Sequence, residues 1–301
     1  MKASLRTIVM RALQGEAAIA RGTPVLLAVS GGPDSMALLD VMADLSPRFA
    51  LRLAAHGVDH GLRKSAAAEL DLAERHADAR GVPFARTKVA VKTGGNLQAR
   101  ARSARWEALV SAARAVGATV IATAHQADDR AETVLMRLLR GTGARGLGAM
   151  PARDRVSVAT DMEVVRPLIR GRRSDVLAHL KRRRVPFAED PSNADPRFLR
   201  ARVRHDLLPL LSELSPGIVE HLVRLADELG APRRLDEHIG DGAAAVSGQP
   251  NDWAAGLPRR TREALRALEQ SRSPSARVWL PGGLVVSVEK NRAGRARSRQ
   301  N

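Results

Sequence analysis

Five consecutive apolar residues, Val25 to Val29, give way to Ser30-Gly31-Gly32-Pro33-Asp34-Ser35. Met36, Leu38, Leu39 and Met42 then recur at helical spacing. A short apolar run with β-branched ends predicts a buried strand, and the spacing after it predicts a helix over 34–44. The alternation continues. Apolar runs predict further strands at 51–58, 84–91 and 120–124. Helical patterns precede and separate them at 3–20, 65–80, 96–116 and 128–140, with Gly81, Pro83 and Gly117 as stop signals. Strands alternating with helices predict an α/β fold with a doubly wound, mostly parallel sheet. Such sheets bind ligands beyond the carboxyl ends of their strands. Ser30, Asp59 and His125 each follow a predicted strand, so they are expected to converge on one site.

The second half has a different texture. Residues 151–170 predict an edge strand pair, 174–184 a helix, 191–204 a polar basic loop and 205–229 further helices. Residues 230–252, rich in Gly, Pro and Ala, predict a linker. A small module follows, with a helix at 261–270 and strands around 277–289. The final residues, with Arg292, Arg295, Arg297 and Arg299, are expected to form a mobile tail. The expected division is a catalytic body over 1–215, then a helical linker and small basic module over 216–301.

Charge and composition narrow the partners. Against 32 acidic residues stand 49 basic ones, a formal charge of +17, which suits a polyanion. An Arg- and Ala-rich codon bias would give a similar count. There is no cysteine, which excludes disulfides, an iron–sulfur cluster and a thiolate nucleophile. Aromatics at 2% exclude widespread base stacking. No stretch nears the roughly 18 apolar residues of a membrane span. The first twenty residues lack an apolar signal core, so a cytoplasmic protein is expected.

The loop at 30–35 carries the clearest chemistry. Two glycines allow successive N–H groups to wrap an anion, and the following helix start adds donors and a positive dipole end. Ser30 and Ser35 add hydroxyls, and Asp34 a carboxylate able to hold Mg2+ beside phosphates. Serine and aspartate also cap ordinary strand–turn–helix connections. Gly141-Thr142-Gly143-Ala144-Arg145-Gly146 has the spacing of a dinucleotide fingerprint, but it follows a predicted helix, so a nicotinamide or flavin reading is rejected. Asp129 and Glu132, three apart on one face of a helix start, suit an amine nucleophile that must be held and deprotonated. Asp128 and His125 precede them within reach of Mg2+ or phosphate. Acids in a first turn also simply offset the helix dipole. Arg102 and Arg105 share a helix face, where they could stabilise an α-phosphate or merely be solvated. From Arg166 to Arg204, 12 basic residues face four acidic ones, a candidate RNA surface. His60, His179 and His205 lack metal-ligand spacing and are expected to be structural.

The hexapeptide at 30–35 resembles the SGGxDS loop of the PP-loop ATP pyrophosphatases. Further segments resemble the tRNA(Ile)-lysidine synthetase branch of that family. They are Val58-Asp59-His60-Gly61-Leu62-Arg63, Ala101-Arg102-Ser103-Ala104-Arg105-Trp106, His125-Gln126-Ala127-Asp128-Asp129-Arg130-Ala131-Glu132-Thr133, Arg140-Gly141-Thr142-Gly143, Arg166-Pro167-Leu168, and Asp190-Pro191-Ser192-Asn193 running to Arg200-Ala201-Arg202-Val203-Arg204. They stand in the family's order over residues 20–215. The chain departs in Trp106, where the family usually has Tyr, in Ala201 within an Arg-Asn-Arg segment, and in a short C-terminal region.

The resemblance implies an ATP-dependent ligase that adenylates the wobble cytidine of isoleucine tRNA with a CAU anticodon, then joins L-lysine to it. It implies ATP at Ser30, Gly31, Gly32, Pro33, Asp34 and Ser35, with Asp59 and His125, and Mg2+ at Asp34 and Asp128. Catalysis would fall to Asp34, Arg102, Arg105, Asp129 and Glu132. Lysine would lie at Asp129 and Glu132, and tRNA at Arg200, Arg202 and Arg204. The competing readings are another PP-loop enzyme acting on a different tRNA base, a small-molecule amide or amine ligase, and a non-catalytic RNA-binding module. Sulfur-inserting members need cysteines that this chain lacks. The charge disfavours small-molecule ligases.

Overall fold

The computed structural model describes residues 3–59, 61, 66–90, 97–188, 197–230, 263, 277–279, 285–290 and 296–300. They form two compact units, Met1–Ala231 and Pro232–Asn301. The first extends past the expected boundary at 215, because its last helix packs into the body.

The first unit is built on a six-stranded sheet of order β3-β2-β1-β4-β6-β5. Its strands are β1 (Pro24–Ala28), β2 (Arg52–Asp59), β3 (Phe84–Lys88), β4 (Val120–Ala122), β5 (Arg153–Val156) and β6 (Ala159–Val165). All pairings are parallel except β5 with β6, the predicted edge pair. The helices are α1 (Leu5–Gln14), α2 (Pro33–Phe49), α3 (Ala66–Ala79), α4 (Leu97–Ala115), α5 (Ala127–Leu139), the short α6 (Ala144–Leu147), α7 (Arg173–Arg183), the short α8 (Leu199–Arg202), α9 (Leu208–Leu214) and α10 (Ile218–Gly230). A π-helical turn, Val203–Leu207, joins α8 to α9. Arg200, Arg202 and Arg204 therefore lie on helical turns, and the expected loop over 191–204 ends before them.

Alternate positions of β1 face opposite layers. Val25 and Leu27 pack with Met36, Leu38, Leu39 and Met42 of α2 and with α1 and α7. Leu26 packs with Ile121 and with Trp106, Leu109 and Val110 of α4. Burying Leu26 and Leu27 contributes about 1.5–3 kcal/mol each, which explains why a five-residue strand sits at the centre of the sheet. A third cluster joins α5, α9 and α10 through Val134, Leu208, Val219, Leu222 and Val223.

One buried carboxylate ties three helices together. Asp40 of α2 lies 2.9 Å from His179 Nε2 and 3.3 Å from Arg183 Nε of α7, and 3.4 Å from both His76 Nε2 and Arg80 Nε on or beside α3. Burial raises the Asp40 carboxyl, but the histidine hydrogen bonds and arginine charges outweigh it and hold it well below the usual carboxylate range. His179 is thus structural, as expected.

The second unit contains a three-stranded antiparallel sheet of β7 (Arg277–Trp279), β8 (Val285–Lys290) and β9 (Ala296–Gln300). The expected mobile tail is corrected here: Ala296–Gln300 pairs with β8 from Lys290↔Ala296 to Val286↔Gln300. Main-chain hydrogen bonds build that edge without an apolar side-chain signal. The helix expected at 261–270 and His60 lie outside the described residues, apart from Glu263, which is helical.

Candidate active site

Sheet order turns at β1: β2 lies on one side and β4 on the other. Such a switch point opens a crevice at the carboxyl ends of the strands. The loops leaving β1 and β4 both enter it.

After β1, Ser35 Oγ accepts the Ser30 N–H at 3.1 Å and donates to the Gly32 carbonyl at 2.9 Å, which fixes the turn. Gly31 holds φ +83°, a conformation L side chains rarely adopt. Its carbonyl accepts the Ala188 N–H at 2.9 Å, which ties the segment after α7 to the loop. Gly32 caps α2 without a side-chain bond and Pro33 opens the helix, so the first-turn N–H groups stay available to an anion. Asp34 Oδ1 is buried without a hydrogen-bond partner, and Oδ2 lies 3.8 Å from Arg173 Nη1. Burial, then the charge of Asp129, pushes the Asp34 carboxyl up to about 6, against the opposing charges of Arg173 and Arg204.

After β4, Thr123 Oγ1 and His125 Nδ1 are 2.9 Å apart. Burial, then the charges of Arg166, Arg105, Arg200 and Arg102, lowers His125 to about 3, so its ring is neutral near pH 7. Gln126 caps α5: its N–H donates to Asp129 Oδ2 at 3.1 Å. Asp128 accepts from Arg172 Nε at 3.2 Å and from the Arg173 N–H at 2.8 Å. Asp129 and Glu132 meet two arginines. Arg200 reaches Glu132 Oε2 and Asp129 Oδ1, both at 2.8 Å. Arg204 Nε reaches Glu132 Oε1 at 2.6 Å, and its Nη2 reaches Asp129 Oδ1 at 3.2 Å and Glu132 Oε2 at 3.1 Å.

Two charge neighbourhoods therefore meet. Asp34, Asp128, Asp129 and Glu132 form an acidic group bound by arginines from α7, α8 and the π turn. Arg102 and Arg105 of α4, with Arg166 and Arg200, surround His125. Burial, then Arg102 and Arg200, lowers the Arg105 guanidinium. Arg166 heads the basic 166–204 stretch expected to form an RNA surface, and the structure corrects this at that residue. It is buried, its Nη1 donates to the Pro151 carbonyl at 2.6 Å, and its Nε lacks a partner. Arg172 and Arg173 were missed, and only their place at a helix start signalled them.

The remaining expected residues stand apart from these contacts. Asp59 ends β2, where its Oδ1 accepts the Gly61 N–H at 2.8 Å. Arg202 is exposed and lies 3.6 Å from Asp206. Gly141, φ +72°, follows α5, not a strand, as the rejected dinucleotide reading required.

The model of the PP-loop domain family matches residues 5–211. The tRNA(Ile)-lysidine synthase of Thermobifida fusca is 39% identical over 87% of this chain and 80% of its own length. That of Salinispora arenicola is 35% identical over 97% of this chain and 95% of its own. The chain belongs to the tRNA(Ile)-lysidine synthase family. A solved structure of the U34-tRNA thiolase NcsA from Methanococcus maripaludis, with its [4Fe-4S] cluster, superimposes with a TM-score of 0.64 over 80% of both chains. At 18% identity it shows the shared fold alone. In this synthase-family chain the motif residues of α5 and of the 200–204 turns come from separate stretches of sequence and meet beside Asp34 of the 30–35 loop.

Proposed function

We propose that this protein converts the wobble cytidine of a CAU-anticodon isoleucine tRNA to lysidine, consuming ATP and L-lysine and releasing AMP and diphosphate. The supporting observation is the junction of the Ser30–Ser35 loop with the Asp129/Glu132 pair in a chain of this family. ATP phosphates would lie on the free N–H groups of the loop and α2, with Ser30 and Ser35 orienting them. The cytosine carbonyl oxygen attacks the α-phosphorus, and diphosphate leaves. Arg102 and Arg105 would balance the charge that develops on the α-phosphate. Lysine, held as its ammonium by Asp129 and Glu132, would give a proton to one of these carboxylates and attack the activated carbon through the freed amine, and AMP departs. His125, being neutral, would donate or accept a hydrogen bond without adding charge.

The residues fit a divalent cation. Asp34 Oδ1 is buried and unpartnered, and its carboxylate is destabilised by burial and by Asp129. Asp128 has both oxygens engaged by Arg172 and Arg173, so Asp34 is the better placed holder of Mg2+. When bound, Mg2+ would neutralise the phosphates and ease departure of diphosphate.

The test is incubation of the purified chain with ATP, labelled lysine and a CAU-anticodon isoleucine tRNA, followed by nucleoside analysis. Lysidine is the expected product. Turnover of ATP without tRNA would instead indicate a small-molecule ligase.

A further inference from the structure

Arg200 and Arg204 together fill both acceptor positions of Glu132 Oε2 and of Asp129 Oδ1, two oxygens of the acids proposed for lysine. Glu132, its side chain 1% exposed, has Oε1 bonded by Arg204 and Oε2 by both arginines. Asp129 Oδ1 takes both guanidinia, and Oδ2 takes the Gln126 N–H of the helix cap. While both guanidinia remain, an ammonium must compete with two positive charges for Oε2 and Oδ1, and departure of Arg200 frees one acceptor position on each. Charge-assisted, multiply bonded arginine–carboxylate contacts are among the stronger polar interactions.

Arg200 is the arginine suited to leave. Its side chain is 43% exposed against 24% for Arg204, and it makes two of the five bonds. It also stands at the boundary between the two charge neighbourhoods, because its charge acts on both Arg105 and His125. A phosphate lying among Arg102, Arg105 and Arg200 would attract Arg200 away from the acids and relieve that repulsion. The turn that follows is π-helical, with the Leu208 N–H bonded to the Val203 carbonyl. Single π turns recur where a helix must aim side chains at a functional site.

We propose that Arg200 is an internal competitor for the lysine site, displaced when a phosphate arriving with a substrate draws its guanidinium away. Lysine then binds only to enzyme already charged with its phosphate-bearing partner. This rests on the assignment of Asp129 and Glu132 to lysine. The phosphate comes either from the nucleotide or from RNA.

The experiment is equilibrium dialysis of labelled lysine against the full chain in four arms: alone, with a non-hydrolysable ATP analogue, with a CAU-anticodon tRNA transcript, and with both. A site open only a tenth of the time binds about tenfold more weakly. The expected wild-type result is weak binding alone and binding about tenfold tighter or more in the arm that supplies the displacing phosphate, which also identifies its source. Arg200→Gln is expected to bind lysine about tenfold tighter than wild type without either partner, and to gain less than about twofold from them. A brace with a purely structural role would not raise affinity. No gain in Arg200→Gln alone, or no response of wild type to either partner, overturns the proposal. If thermal melting shows Arg200→Gln misfolded, Arg200→Lys, which keeps the charge but loses the fork, replaces it, with a smaller gain expected and unchanged affinity overturning the idea. Glu132→Gln separates the two readings. Lysine binding lost there, with no gain in Arg200→Gln, removes the competitor alone. Lysine binding retained there places lysine elsewhere, and both readings fall.

Discussion

Gly31 and Glu69 leave no room for a side chain between them: a Cβ on Gly31 would stand 2.4 Å from the Glu69 carbonyl oxygen. The obstacle is backbone, not the mobile end of a side chain, so it cannot swing aside. Gly31 also holds φ +83°. Gly31→Ala is therefore expected to distort the phosphate loop and remove ATP-dependent diphosphate release, with about 1–3 kcal/mol of lost stability. Diphosphate assay and thermal melting check both, and a variant with near-normal turnover would contradict the role given to the loop.

Asp34 should trade stability for function. Its native carboxyl is pushed up to about 6 from 3.8, by burial first and the charge of Asp129 second. A raised carboxyl pKa means the ionised form is the disfavoured one, so the penalty grows as pH rises from about 4 to 6 and is complete above that. Asp34→Asn is thus expected to be more stable than wild type at pH 7.5, by up to about 3 kcal/mol. The difference should shrink near pH 4.5, while diphosphate release is lost by on the order of 10²-fold. Melting curves of metal-free protein at both pH values decide it.

Asp129→Asn keeps an oxygen for the Gln126 N–H but removes the negative charge. We expect the lysine concentration for half-maximal product formation to rise about tenfold or more, since charged hydrogen bonds contribute about 1.5–3 kcal/mol. Release of diphosphate on adenylation should change much less. Equal losses in both half-reactions would place Asp129 on the nucleotide instead.

Arg202 differs from its neighbours. Arg200 and Arg204 are bound to acids, whereas Arg202 is exposed and, among the described residues, pairs with Asp206, 3.6 Å away. Arg202→Ala should leave stability unchanged, weaken tRNA binding and reduce the log–log salt slope by about one unit. Binding isotherms over a salt series test this, and a slope equal to that of wild type removes Arg202 from the RNA surface.

Asp40→Ala should cost about 3–5 kcal/mol, because it leaves His76 and Arg80, on or beside α3, and His179 and Arg183 of α7 without their shared carboxylate. Asp40 is held below the ordinary carboxylate range, so its contribution is present above about pH 4 and fades on further acidification. Denaturant titrations of both proteins across that range measure it.

The strand–turn–helix at 24–49, with its turn at 30–35, was legible because strand, glycine pair, acid and helix are contiguous, and each enforces the next. The parallel sheet followed from the same local alternation. The carboxylate–arginine contacts were not legible: Arg200 lies 68 residues from Glu132, and both residue types are ordinary on solvated helix faces. Asp40 sits inside an apolar run, which hinted at burial but named none of its partners, the most distant of them 143 residues away. The edge strand at 296–300 escaped notice because main-chain pairing specifies it, and its arginine-rich composition suggested solvent. The helix at 218–230 was visible, but its place in the first body depends on contacts with α5 that no local pattern encodes.

That last placement bears on how the molecule can be divided. A Cβ on Gly148 would meet Gly230 Cα at 2.5 Å, so the end of α10 lies directly against the turn after α6. A catalytic fragment cut at 215 would lose this lid and leave Val134 and Leu208 facing water. One cut at 231 would keep it. Dissection of this chain into separately expressed halves should follow that seam, and a fragment shortened to 215 should aggregate before its chemistry could be judged.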